Sequence, residues 1–201
     1  EQAVSDAGDR LAAIVIEPGV ERRVSDAWVA RARALCDQKG AALIFDEIKT
    51  GFRLATGGFQ QEAGVTPDLA TFGKAMANGY PLSAVCGRAD LMDAARRTWI
   101  SSTLASEATA LAAAVAVLEW HRSTDVCASL RTIGADMRRV VGAALAASEL
   151  PGVRVEGIDP MWFLRFESTE TEARFLQAAV RHGVLFKRGA IQRSGQSVKL
   201  G

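Results

Sequence analysis

Two short apolar runs separated by a helical pattern constrain the fold of this chain most. Leu11–Ile16 and Ala42–Phe45 are almost wholly apolar, which is typical of strands covered on both faces. Between them, apolar residues recur at helical spacing after a Ser25 or Asp26 N-cap, and the pattern ends at Gly40. A strand, a helix and a strand with short connections favour a right-handed parallel unit. The sequence therefore predicts an α/β fold built on a parallel sheet.

The following segments extend this α/β pattern. Leu69–Phe72 and Leu82–Cys86 predict two further strands, and the alanine-rich stretches Ala105–His121 and Asp125–Ala147 predict two long helices. The glycine-rich segment 50–67 predicts an irregular loop that is long enough to have a functional role.

A different pattern begins after the Leu150–Gly152 break. Alternating strands followed by a helix and a last strand predict a small α+β domain. The predicted elements are strands at Val153–Glu156, Met161–Phe166 and Val184–Phe186 and a helix at Glu170–His182. We therefore expect a domain boundary near Pro151, with residues 1–150 and 151–201 as the two parts.

The charge balance and composition argue against several classes of protein function. Lys and Arg number 24 against 23 acidic residues, a balance that argues against a nucleic-acid-binding protein. No apolar run has the length of a membrane span and the start does not match a signal peptide, so we expect a cytoplasmic protein without membrane contact. Three scattered cysteines and two histidines do not predict a metal site. The first residue is not methionine and the last residues are weakly patterned, so we expect a fragment.

Three reactive side chains follow closely on three of the predicted strands. Glu17 follows the first strand, Asp46 follows the second, and Lys74 comes just after the strand that ends at Phe72. Because ligands gather at the carboxyl ends of strands in open parallel sheets, we expect these side chains to converge at one edge. A lysine amine can hold an aldehyde cofactor as a Schiff base, and a carboxylate beside a pyridine nitrogen keeps that ring protonated. Asp46 and Lys74 together therefore predict a pyridoxal phosphate site.

Several motifs in fixed order carry a family resemblance. They are Ile16–Pro18, Leu43–Arg53, Gly64–Leu69, Gly73–Pro81 and Ser102–Glu107. From about residue 11 to Arg188, the chain resembles the class III pyridoxal phosphate aminotransferases of the fold-type I superfamily, and most closely their glutamate-1-semialdehyde aminomutase-like branch.

The resemblance implies roles for five residues. Lys74 would be the Schiff-base lysine, Asp46 the partner of the pyridine nitrogen, and Ile48 an apolar contact on one face of the cofactor ring. Thr103 would donate its hydroxyl to the cofactor phosphate of a neighbouring subunit, which implies a homodimer with shared sites. Glu17 matches a family glutamate that lies near the substrate.

The resemblance also implies the architecture and the reaction. Residues 1–150 would be the C-terminal part of the large cofactor-binding domain with its following helices, and 151–201 an incomplete small C-terminal domain. A small-molecule amino donor would pass its amino group to a carbonyl acceptor. The runner-up is the aminomutase itself, but Asn78–Pro81 and Ser106–Glu107 depart from the glycine-rich and Gly-Asn sequences typical of aminomutases.

Two further hypotheses come from other classes. An apolar strand ending in Asp-Glu is also the second nucleotide motif of ATPases, but the required G-x-x-x-x-G-K-[ST] loop is absent because Asp68 lies five residues before Gly73 and Ala75 follows Lys74. A truncated, non-catalytic scaffold is the other hypothesis, since the family's glycine-rich phosphate turn and stacking aromatic residue are not in this sequence. For the same reason we expect the 201-residue chain alone to hold the cofactor weakly and to be poorly active.

Three residues keep two interpretations each. Glu47 is either a partner that supports the site or the end of a solvated turn. Arg53 either fixes its loop or contacts substrate. Thr103 is either a cofactor ligand or an ordinary turn or cap residue.

Overall fold

The computed structural model describes residues 2–19, 21–99, 102–148, 150–185 and 191–193. The chain divides into two compact units, Glu1–Ser129 and Leu130–Gly201. The first unit holds α1 (Gln2–Ala7), β1 (Ala13–Ile16), α2 (Asp26–Lys39), β2 (Ala42–Asp46), α3 (Phe59–Ala63), β3 (Leu69–Phe72), β4 (Ala84–Gly87), α4 (Ala89–Ala94), α5 (Ala108–Ser123) and the start of α6 (Val126–Ala147). The second unit holds the rest of α6, then β5 (Val153–Ile158), β6 (Met161–Phe166), α7 (Thr169–Arg181) and β7 (Ile191–Arg193).

Helix α2 forms where its end signals predict. The Ser25 hydroxyl accepts a hydrogen bond from the Trp28 N–H, and Gly40 ends the helix in the left-handed conformation at φ 64°. This cap suits glycine, which has no Cβ to clash there. The predicted helix between the first two strands is confirmed.

The first unit is built on a four-stranded mixed sheet in the order β1-β2-β3-β4. The pairs β1–β2 and β2–β3 are parallel, as predicted, whereas β4 is antiparallel to β3. One face of the sheet packs on α2, and Leu43 and Phe45 are fully buried there with Val29 and Cys36 of the helix.

The opposite face of the sheet is only partly covered. Val15 lies on this face and is 66% exposed, so the prediction that β1 is covered on both faces is wrong for the described residues. The physical reason is that α2 covers one face alone.

The predicted irregular segment 50–67 contains a short helix. Helix α3 begins at Phe59, which is fully buried and packs edge-on against Phe45 with ring centroids 5.7 Å apart. Tertiary packing fixes this five-residue helix, which is too short to be stable by itself.

The second unit is a three-stranded sheet with α6 and α7 residues on its core. Strands β5 and β6 form an antiparallel pair, and β7 adds in parallel to β6. Leu164 and Phe166 form the buried centre, and Val141 of α6 and Phe175 of α7 pack against them. The predicted order of strand, strand and helix is confirmed.

Two details of the second unit differ from the prediction. The last strand is Ile191–Arg193 rather than Val184–Phe186: Val184 and Leu185 are not in a strand, and Phe186 lies outside the described residues. Strand β6 does not alternate, because Arg165 is 8% exposed between buried neighbours, where its guanidinium donates to Glu156.

Along the chain, the boundary between the two compact units falls within α6, after Ser129, which is earlier than the predicted boundary near Pro151. The C-terminal half of this helix contributes Val141 and Leu145 to the core of the second unit. The assignment of 1–150 and 151–201 to a large and a small domain of the intact protein stays a prediction.

Candidate functional site

The strand register places three polar residues on one rung at the edge of the sheet. Asp46 pairs with Thr71 across β2 and β3, and Phe45 pairs with Ile16 across β2 and β1. Glu17, the residue after Ile16, is therefore level with Asp46. These are carboxyl ends of neighbouring parallel strands, where α/β folds bind ligands.

Asp46 keeps acceptor capacity at this edge. Its Oδ1 accepts hydrogen bonds from the Ile48 N–H at 3.0 Å and from the Thr71 hydroxyl at 3.2 Å. Among the described residues, no donor bonds to Oδ2. The two bonds fix the carboxylate and leave one oxygen for a positively charged or N–H donor.

Lys74 lies on a tight turn at the end of the neighbouring strand. Residues Lys74–Met76 form a 3₁₀ helix. Met76 and the following Ala77 are buried, whereas Lys74 itself is exposed. Lys74 has φ 43°, in the left-handed region that a non-glycine residue occupies only at a cost of about 1 kcal/mol or more. Such strained conformations concentrate at functional sites, which makes this turn a candidate site.

Ile48 connects the two strand ends. A methyl group placed on Gly73 would lie 3.6 Å from Ile48 Cγ2 and 3.6 Å from the Leu82 carbonyl oxygen. The Ile48 side chain therefore borders the backbone just before Lys74. The structure brings together the ends of β2 and β3 that carry Asp46 and Lys74.

Glu17 forms an ion pair with Lys49, which lies in the turn after β2 next to Ile48. The Lys49 Nζ lies 3.8 Å from Glu17 Oε1, and both side chains are about two-fifths exposed. This pairing joins the end of β1 to the turn after β2.

Glu47 supports the loop that follows the site. It is fully buried and accepts hydrogen bonds from the Thr50 hydroxyl, from the Phe59 N–H at 2.9 Å and from the Gln60 N–H at 2.9 Å. The two backbone donors belong to the first turn of α3, where a carboxylate is favourable. Of the two interpretations of Glu47, the solvated turn is wrong. Glu47 positions the chain beyond Asp46.

Arg53 also makes a loop contact. Its Nη1 donates to the Lys49 carbonyl oxygen at 2.7 Å, and burial lowers the pKa of this guanidinium. The preceding residue, Phe52, has φ 60° and packs edge-on against both Phe72 of β3 and His121 of α5. These contacts hold the loop against the strand that leads to Lys74.

Asp68 is a buried acid to which the sequence pattern assigned no role. It is 5% exposed and accepts hydrogen bonds from the Leu43 N–H and from Arg33, both at 2.7 Å, and from Arg88 at 2.9 Å. Burial alone would raise the pKa of this carboxyl, but the three donors outweigh burial and lower the pKa to about 2. Asp68 thereby ties β2, α2 and the end of β4 to the start of β3.

Thr103 lies apart from these contacts. It is exposed in a turn before α5, and within the described part of the chain no hydrogen bond from its side chain is seen. The described residues also contain no group of three or more acids, histidines or cysteines that could hold a metal ion. In the same part of the chain, no helix combines the length and the apolar character needed to cross a membrane.

Comparison with known proteins assigns this chain to one family. The family model described as aminotransferase class-III matches residues 1–193. The chain is 36% identical over 184 residues to the 2'-deamino-2'-hydroxyneamine transaminase of Streptomyces kanamyceticus, covering 90% of this chain and 46% of that protein. It is 36% identical over 178 residues to the glutamate-1-semialdehyde 2,1-aminomutase of Thermomicrobium roseum, covering 83% and 41% respectively.

Solved structures agree with the sequence comparison. The PLP internal aldimine form of the FumI protein from Sphingopyxis sp. MTA144 aligns with a TM-score of 0.76 at 28% identity, over 92% of this chain and 48% of that one. The chain belongs to the class III aminotransferase family, as the sequence motifs indicated. It spans about half the length of the curated relatives that it matches.

Proposed function

We propose that the intact protein is a pyridoxal phosphate-dependent aminotransferase. One observation carries the proposal: Asp46, with an oxygen that accepts no hydrogen bond from the described residues, stands one strand away from the exposed Lys74 on its strained turn. The reaction exchanges an amino group between a small amino acid or amine and a carbonyl compound.

The residues present suit this cofactor. When bound, pyridoxal phosphate supplies an aldehyde for the lysine amine and a protonated ring that withdraws electrons from a substrate carbon. The free Asp46 oxygen would hold the proton on the ring nitrogen, and Ile48 offers an apolar surface to one side of the ring. Such a pairing also offsets the cost of a partly buried carboxylate.

Lys74 has two tasks in this proposal. Its amine would first hold the cofactor and then, once released, carry a proton to and from the substrate carbon. The exposed side chain and the short turn between buried Gly73 and Met76 allow it to move while its backbone stays fixed.

The proposal includes the assembly and the location. We propose a cytoplasmic homodimer in which Thr103 of one subunit binds the cofactor phosphate in the other, with the second unit forming part of a small C-terminal domain. Its support is the family resemblance of the Ser102–Glu107 motif and the exposure of Thr103.

The test is cofactor binding by the full-length protein. Pyridoxal phosphate should produce the visible absorbance of lysine-bound cofactor, and Lys74→Ala should abolish this band together with amino transfer. Lys39→Ala, at the exposed C-terminal end of α2, is the matched control and should leave both unchanged. A band that survives in Lys74→Ala would refute the lysine assignment, and a full-length protein that never binds the cofactor would favour the scaffold hypothesis.

A second candidate is an aminomutase, because one relative with 36% identity carries that name. The two reactions differ in whether the amino group leaves the molecule. An isotope-labelled amino donor separates them: a labelled product from an added carbonyl acceptor indicates the aminotransferase, whereas isomerisation of glutamate-1-semialdehyde without an acceptor indicates the aminomutase.

A further inference from the structure

The second unit contains a groove that takes no part in the proposed cofactor chemistry. The groove lies between α6 and β5 and has a volume of about 570 Å³. Its lining residues fall between Ala135 and Asp159, so one compact unit forms the groove by itself. Because small-molecule sites in proteins usually have volumes of about 300–1,000 Å³, the groove has the size that a small ligand needs.

Arginine side chains give the groove its charge. Arg138 and Arg139 of α6 and Arg154 of β5 line it, together with a single acid, Asp159. The whole chain has 24 basic and 23 acidic residues, so this excess of positive charge is local. Guanidinium groups bind phosphate and carboxylate groups through two parallel hydrogen bonds, which makes them preferred partners of such anions. The groove lining therefore favours an anionic ligand.

The two arginines of α6 keep most of their hydrogen-bond donors available. Among the described residues, Arg138 donates one hydrogen bond, from Nη1 to Asp159 at 2.9 Å, and Arg139 donates one, from Nη2 to Asp136 at 3.2 Å. A guanidinium has five N–H donors. The Arg139 and Asp136 side chains are 72% and 64% exposed, so their ion pair contributes little to the fold. A ligand can therefore bind the unused donors without disturbing the core.

Arg154 is held in place on the β5 wall of the groove. Its Nε donates to Glu156 and its Nη1 donates to Glu167, both at 2.6 Å. Because these two glutamates balance its charge, Arg154 fixes the shape of this wall. The charge for binding an anion comes from Arg138 and Arg139 on the α6 wall.

Gly142 leaves space in the groove beside the arginines. A glycine inside a helix destabilises that helix relative to alanine. Packing requires Gly134 of the same helix, because a methyl group there would lie 2.8 Å from Pro160 Cα. A methyl group on Gly142 would meet no neighbouring atom within 4 Å, so packing does not require this glycine. A ligand that approaches the α6 backbone would explain it, and Leu145 and Val155 add an apolar surface to the same groove.

We propose that this groove binds a phosphate monoester of a small organic molecule. Arg138 and Arg139 bind the phosphate, and Leu145 and Val155 contact the organic group in the space beside Gly142. A phosphate monoester carries a charge of about −1.5 to −2 at neutral pH, which two guanidinium groups can balance. The site does not depend on the proposed aminotransferase function, because none of these residues has a role toward the cofactor.

The test is calorimetry with phenyl phosphate as the probe. The full-length protein is first saturated with pyridoxal phosphate and freed of the excess, so that a cofactor site is already occupied. Phenyl phosphate should bind more tightly than inorganic phosphate, and phenol should not bind. Arg138→Gln and Arg139→Gln should each raise the Kd for phenyl phosphate about tenfold or more, as expected for loss of a charge-assisted hydrogen bond. Arg181→Gln, at the exposed end of α7, is the matched control and should bind like the wild type.

A third variant separates loss of the site from loss of the fold. Gly142→Leu fills the groove with a residue that favours helix, so it should be at least as stable as the wild type in urea unfolding and yet lose most of its affinity for phenyl phosphate. Wild-type affinity in both arginine variants would overturn the proposal, as would phenol that binds as tightly as phenyl phosphate. Equal Kd values for inorganic phosphate and phenyl phosphate would overturn the assignment of an organic ligand. A protein that binds phenyl phosphate through both arginines but never binds pyridoxal phosphate would support this site and refute the proposed function.

Discussion

Replacing Asp68 by asparagine tests how the first unit is held together. The substitution Asp68→Asn keeps the shape of the side chain but removes the charge that Arg33, Arg88 and the Leu43 N–H surround. The pKa of Asp68 falls from an ordinary 3.8 to about 2, against the opposing effect of burial. At about 1.4 kcal/mol per pKa unit, the ionised carboxylate contributes about 2 kcal/mol of stability at neutral pH, and Asp68→Asn should remove it.

The direction of the pH dependence follows from the lowered pKa. Because the folded chain binds the Asp68 proton more weakly than the unfolded chain, the stability is fully present above about pH 4 and is lost as the pH falls toward 2. At about pH 3 roughly half of it should be gone. The wild type and Asp68→Asn should therefore converge in stability at acid pH.

Urea unfolding followed by far-ultraviolet circular dichroism at about pH 7 and about pH 3 measures both effects. Asp37→Asn is the matched control, since Asp37 also contacts Arg33 at 2.7 Å but its side chain is 63% exposed. Loss of this exposed pair should cost less than about 1 kcal/mol. The reasoning is wrong if Asp68→Asn costs no more than Asp37→Asn at neutral pH, or if the difference from wild type is the same at both pH values.

Two further predictions concern Glu47 and His121. Glu47→Ala should destabilise the protein by about 3 kcal/mol in urea unfolding, because it leaves the Thr50 hydroxyl and the Phe59 and Gln60 N–H groups without their acceptor. Glu62→Ala, in α3 itself, should cost less than about 1 kcal/mol. An equal cost for both variants would contradict the buried role of Glu47. Burial lowers the pKa of His121, so stability should be present above about pH 6.5 and decline below it. His121→Gln should flatten this decline and His182→Gln should not; a wild-type slope retained in His121→Gln would refute the assignment.

The elements with local signals are predictable from the sequence. Ser25 and Gly40 mark the ends of α2, and both act as caps in the structure. Strand β3 has the predicted bounds, Leu69–Phe72, because apolar residues flanked by turn residues specify it locally. The parallel pairing of β1 and β2 follows from the short connections around one helix.

The differences arise where tertiary contacts override the local pattern. Helix α3 has a weak sequence signal of its own. Its N-terminus is fixed instead by Glu47, which lies twelve residues before Phe59. Strand β6 loses its alternation because Arg165 pairs with Glu156 from the neighbouring strand and stays buried. In both cases a charged side chain is stabilised by a partner that no local window contains.

The site was predictable in part. Topology alone brings the ends of β1, β2 and β3 to one edge, so Glu17, Asp46 and Lys74 could be grouped from the strand pattern. The positive φ of Lys74 and the 3.8 Å ion pair between Glu17 and Lys49 could not be predicted from the sequence, because both depend on turn geometry. The roles of Asp46, Ile48, Lys74, Thr103 and Glu17 toward a cofactor or substrate stay predictions.

Four acidic residues of the first unit fall into two groups according to how many hydrogen bonds their carboxylate oxygens accept. Glu47 and Asp68 are buried, and each accepts three hydrogen bonds, so their charges are committed to the fold. Within the described part of the chain, Asp46 accepts two hydrogen bonds on one oxygen, and Glu17 has a single ion pair, which is longer than a hydrogen bond. Because a carboxylate that the fold has already satisfied gains little from a ligand, the two incompletely satisfied acids are the ones available for binding. Both lie on one rung at the carboxyl edge of the sheet, which is where a ligand of an α/β protein is expected.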